Sequence, residues 1–165
     1  LATCAVMPLV ISLQPLIFGI SQLVTALQIG VFFAIGLYKV RKPGSLLIMA
    51  LMMGLIQLMM SPPMFLSSVL NGVLIELIVL LLFRGYEKDA AVFCAAMLHT
   101  PLSLPFNYLY NRLIKGTDSP LAAVADRAPL AAAGMTLAVV AVSALGALIG
   151  IKIARELKKS GVLKK

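Results

Sequence analysis

A single carboxylate, Glu76, lies inside an apolar run from Leu66 to Phe83, and Asn71 precedes it in the same run. A charge near the centre of a bilayer costs at least ~2.5–3.5 kcal/mol, so an acid kept there usually faces a protein interior or a cavity. Two roles fit Glu76: a contact to a ligand or ion, or a hydrogen-bonded group that ties helices together. A second polar set is His99, Ser103, Asn107 and Tyr110, spaced four, four and three apart. At ~100° per residue these four stay within about 80° of one another, on one helix face. Such a stripe in a membrane helix belongs against other helices, where its hydrogen bonds can be met. Gln57 is the one strongly polar residue of its own apolar segment. Glu76, Asn71, His99, Asn107, Tyr110 and Gln57 are therefore the candidate substrate-binding residues. An outward-opening pocket with Glu76 at its floor is the expected arrangement.

Other chemistries lack their residues. No GxxxxGK[ST] is present to cradle a nucleotide phosphate, and there is no HExxH and no GxSxG. Cys4 and Cys94 are far apart in apolar runs and form no CxxC or Cys/His cluster. No catalytic residue, metal or cofactor is expected, and the chain reads as a binding protein rather than an enzyme.

The elements that would carry these residues follow from composition. The chain has 165 residues, 61% hydrophobic and 12% charged, with a mean hydropathy of +1.04. A soluble domain carries about 25% charged residues. The expected fold is all-α, a single membrane domain over residues 1–165 built as a bundle of six transmembrane helices. The spans are expected at about Leu1–Phe18, Ser21–Val40, Ser45–Met60, Leu66–Phe83, Ala90–Arg112 and Pro129–Ile153. Pro8 and Pro15 should break or kink the first, and Pro101 and Pro105 should bend the fifth. Ser61-Pro62-Pro63 reads as a tight turn, and 120–127 as a short helix outside the bilayer. The methionines of the third span read as lipid or core packing.

The formal charge of +8 is distributed as a topology signal rather than as a nucleic-acid surface. With six spans, Lys39, Arg41, Lys42, Arg84, Lys88 and the six basic residues from Lys152 onward share one side, eleven against three. The positive-inside rule makes that side, and both termini, cytoplasmic in the cell membrane. The last span carries small residues at close spacing, Gly134 and Ala138, then Gly146, Gly150 and Ala154. Such rows let helices approach closely, either within the bundle or against a partner subunit. Ala2 and Ala5 permit a weaker version of the same contact.

Three stretches carry a family resemblance. They are Tyr38 to Ser45 with Arg41-Lys42-Pro43-Gly44, the run holding Asn71-Gly72 and Glu76, and Gly150-Ile151-Lys152 followed by Arg155-Glu156-Leu157-Lys158-Lys159. The chain resembles the S components, the substrate-binding membrane subunits of energy-coupling factor (ECF) transporters. Its nearest likeness is to the thiamine-precursor type or an uncharacterised subgroup. The resemblance implies capture of a small vitamin or related micronutrient from outside the cell. A transmembrane coupling (T) subunit and two ATPase subunits would drive its release inside. It further implies that Glu76 contacts substrate, that the span of His99, Asn107 and Tyr110 lines the pocket, and that Gln14 to Gln22 lids it. The small-residue rows would meet the coupling subunit. Two other readings stay open: a membrane scaffold or assembly subunit with an S-component-like bundle, and a membrane enzyme using Glu76 with His99.

Overall fold

The apolar runs fold as helices whose ends are marked by their residues. The computed structural model describes residues 20–59, 62–114 and 128–161. Helix α1 is Ile20–Val40, α2 Ser45–Leu58, α3 Pro62–Phe83, α4 Asp89–Ile114 and α5 Pro129–Lys159. No strand occurs among the described residues. The expected first span and the short helix over 120–127 lie outside them, so five helices stand where six spans are expected. Three segments, Ile20–Val40, Met64–Phe83 and Pro129–Lys159, are long and apolar enough to cross a membrane. Helix α2 has 14 residues, ~21 Å of rise against a hydrocarbon core of ~30 Å.

Local chemistry sets the boundaries. Pro62 opens α3 rather than forming a turn, because a proline in the first helical turn forgoes an amide that would have no partner there. Asp89 begins α4 and Arg112 lies in its last turn, while Lys158 and Lys159 close α5, each charge complementing the helix dipole. Pro101 and Pro105 do not interrupt α4, which is helical throughout. Pro101 offers no amide to the Met97 carbonyl four residues earlier. The Ser143 hydroxyl, from α5, donates to that carbonyl instead at 2.8 Å. A hydrogen bond lost within one helix is thus replaced by one between two helices.

Helices α1, α4 and α5 pack against one another, α3 lies on α4, and α2 lies on α3 and reaches α1. The core between them holds Phe33, Leu37, Leu46, Ile75, Val79 and Val92. The outer surface is apolar as well: Phe32, Ile48, Ile56, Leu81 and Leu137 are each at least 65% exposed. Met52 and Met59 are exposed in the same way, and Met49 packs over Gly36. These outward side chains suit lipid.

Helices α1 and α5 approach each other backbone to backbone. A Cβ on Gly146 would lie 2.6 Å from the Leu27 carbonyl oxygen, and one on Gly150 2.7 Å from that of Val31. Gly30 faces back onto the backbone of Ser143 and Ala147. Ala154 is fully buried. Of the two uses open to this row, Gly146, Gly150 and Ala154 are taken up inside the bundle, not left free for a partner subunit. Ala2 and Ala5 lie outside the described residues. Gly134, at the other end of α5, has open space around it. Gly146→Val should therefore destabilise the detergent-solubilised protein by ~1–3 kcal/mol, as overpacking does. Gly134→Val should leave its melting temperature unchanged. Thermal melts of the two variants check the contrast.

Candidate functional site

Glu76 has different neighbours from those expected. The turn after α1, Arg41-Lys42-Pro43-Gly44, brings the N-cap amide that precedes α2 to it. The Gly44 N–H donates to Glu76 Oε1 at 2.7 Å, and the Tyr86 hydroxyl donates to Oε2 at 2.9 Å. Gly44 adopts φ 86°, a left-handed conformation that glycine accepts without Cβ strain. Glu76 is 6% exposed and Tyr86 fully buried. A buried carboxylate needs donors, and a helix N-terminus supplies both an amide and a favourable dipole. Burial and the hydrogen bond to Glu76 push the Tyr86 phenol above its ordinary value, so it remains a donor. Both oxygens of Glu76 thus serve to join α2, α3 and the turn before α4. The expected role as the floor of an outward-opening pocket does not describe these contacts.

Beside this lock, three helix ends meet at Asp89. Arg41 Nη2 donates to Asp89 Oδ1 at 2.6 Å, and Arg41 Nη1 donates to the Glu87 carbonyl oxygen. Arg155 donates to Asp89 Oδ2 through Nε at 3.1 Å and Nη2 at 2.7 Å. The Arg41 guanidinium also lies 4.0 Å from the centre of the Tyr38 ring. Partial burial alone would raise the Asp89 pKa. The hydrogen bonds and charges of Arg155 and Arg41 outweigh that and hold it below its ordinary 3.8. This end of the bundle is therefore a cross-link among α1, α4 and α5.

A different situation exists further along α3 and α4. His99 is 5% exposed, Thr100 2% and Asn71 1%. Both ring nitrogens of His99, the Thr100 hydroxyl and Asn71 Oδ1 have no hydrogen-bond partner among the described residues. The His99 ring rests on Phe33, with centroids 4.3 Å apart and planes inclined by 37°. Helices α3 and α4 run antiparallel from the turn at 84–88. Asn71 is twelve residues from Phe83, ~18 Å along its helix. His99 is ten residues from Asp89, ~15 Å along. The unpaired groups thus form one layer at similar depth. Buried polar atoms are nearly always paired, and those that are not mark strain or function.

The remaining candidates are less committed. Gln57, Asn107 and Tyr110 are half-buried. Ser103 turns back to the Thr100 carbonyl at 2.6 Å. Gln22, near the expected lid, is buried and accepts from the Ser21 hydroxyl at 2.7 Å, while Gln14 lies outside the described residues. No hydrogen bond joins Glu76, whose oxygens accept from Gly44 and Tyr86, to His99. Among the described residues no group of three His, Cys, Asp or Glu is placed to hold a metal. Sequence reasoning missed Tyr86, Asp89, Arg41, Thr100 and Phe33. A polar residue next to His99 on the same helix was the available signal for Thr100.

Apolar helices with polar groups enclosed among them define a helical integral membrane protein. The chain belongs to the Trep_Strep family, described as a hypothetical bacterial integral membrane protein, whose model matches residues 1–159. No curated protein matches it, and no solved structure does.

Two tests follow from the basic end. Arg41 and Arg84 both have left-handed backbones, φ 41° and 58°, which cost a non-glycine residue ~1 kcal/mol. Arg84→Gly should raise stability slightly, whereas Arg41→Gly should lower it despite the same backbone relief, as urea or thermal unfolding would read. Because the folded pKa of Asp89 is depressed, its contribution is complete above 3.8 and is lost as pH falls through the folded value. Melting temperature should drop below about pH 4 in the native chain, and less steeply in Asp89→Asn.

Proposed function

We propose that the chain is the substrate-capture subunit of an ECF-type importer, with its basic end facing the cytoplasm. The observation that carries this reading is the layer of Asn71, His99 and Thr100, buried polar groups with atoms unpaired among the described residues. An enclosed set of donors and acceptors with no charge among the three suits a small, polar, hydrogen-bonding solute. Vitamins and related micronutrients are of that kind. Phe33 beside His99 offers an aromatic wall. The sequence has no phosphate-binding loop, so energy would come from two ATPase subunits through a transmembrane coupling subunit. Glu76 and the Asp89 cluster then hold the helices in register rather than touch the solute. One observation favours the scaffold reading instead: Glu76 is taken up by its own chain.

Mass spectrometry of small molecules co-purifying with the chain, followed by binding measurements, separates the two. A capture subunit yields a bound solute, and His99→Leu or Asn71→Ala weakens its binding at least ~10-fold, the loss of one buried hydrogen bond. His99→Leu should also raise the melting temperature, since it removes unpaired buried nitrogens. Unchanged affinity in both variants would remove the layer from the site, and no bound solute would favour the scaffold.

A further inference from the structure

A cleft of about 430 Å³ runs between α4 and α5 at the basic end, apart from the Asn71–His99 layer. It is lined by Ala90, Phe93, Leu148 and Ile151, with Asp89, Lys152 and Arg155 also on its wall. We propose that this cleft binds an anionic phospholipid, with an acyl chain along the apolar wall and the phosphate at Lys152 and Arg155.

Three observations support that occupant. The first is the polarity gradient. Lys152 and Arg155 lie toward the end of α5, and Leu148 one turn or more deeper, ~6–10 Å along the helix. Asp89 and Phe93 repeat the order on α4, polar at the end and apolar within. Head group outside and acyl chain inside is the same order. The second is charge. Asp89 is the one acid on the wall, and it is already paired with both Arg41 and Arg155. Two guanidinium groups against one carboxylate leave an uncompensated positive charge. Lys152 is exposed and has no ion-pair or hydrogen-bond partner among the described residues, so it adds a second. The third is access. The cleft sits on the outer face of two helices, where Leu148 is 54% exposed, so a lipid reaches it laterally without entering the bundle. Basic pockets between membrane helices recognise anionic head groups in this manner.

The test uses the full chain in neutral detergent, with native mass spectrometry reading bound phosphatidylglycerol against phosphatidylcholine. The expected result is preferential retention of phosphatidylglycerol. Lys152→Gln should weaken that retention about five-fold, one cation's share at a membrane surface, without changing the melting temperature. Leu148→Trp should weaken both lipids by filling the cleft. Lys158→Gln, an exposed cation in the last turn of α5 outside the cleft, should have no effect. Equal retention of the two lipids would overturn the proposal. An equal loss in Lys158→Gln would assign the effect to the diffuse charge of this end. Competition by soluble glycerol phosphate as strong as by the lipid would make it a free-anion site.

Discussion

The carboxylate of Glu76 cannot sit among apolar helices without donors, and the way it finds them shapes one whole end of the molecule. Its two partners come from different elements, the N-cap amide before α2 and the phenol that follows α3. To deliver that amide, the turn after α1 must dip toward α3 through a left-handed Gly44. The dip starts α2 at the depth of Glu76 and accompanies its short length of 14 residues. Arg41, in the same turn, is thereby placed against Asp89, which Arg155 also grips. One buried charge thus orders two loops and, through them, four helices.

The two polar regions of the bundle differ in kind. At the basic end each buried oxygen of Glu76 has a donor and the ion cluster beside it is reciprocal, with the Ser45 hydroxyl the one buried polar atom there without a partner among the described residues. In the Asn71–His99–Thr100 layer, several buried polar atoms have no partner among the described residues. A satisfied network rigidifies, whereas an unsatisfied one costs stability unless something else completes it. This contrast, rather than the presence of a charge, separates the structural acid from the candidate site. Stability for the unsatisfied layer comes from elsewhere: the glycine contact of α1 with α5 and the Ser143 bond that mends the Pro101 break.

Much of the architecture was legible because it depends on local composition. Apolar runs bounded by Arg, Lys, Pro and Gly mark the helices to within a few residues, and Glu76, Asn71 and His99 stand out from their surroundings. The partners were not legible. Gly44 is 32 residues from Glu76 and Arg155 is 66 from Asp89, and no pattern along the chain ties such distant positions. Counting residues from a helix end places Glu76 at mid-depth but cannot show that a loop reaches in to meet it. The continuity of α4 through Pro101 was hidden for the same reason, since the hydroxyl that replaces the lost amide belongs to another helix. Gly30 in α1, facing Ser143 and Ala147, was the clue that the small-residue row of α5 closes on its own chain.

The most direct measurement is an experimental density map of the chain purified with whatever it retains from its membrane. The account predicts non-protein density within ~3.2 Å of His99 or Asn71, with Gly44 and Tyr86 still on the Glu76 carboxylate. Density against Glu76, with either of those partners displaced, would contradict it.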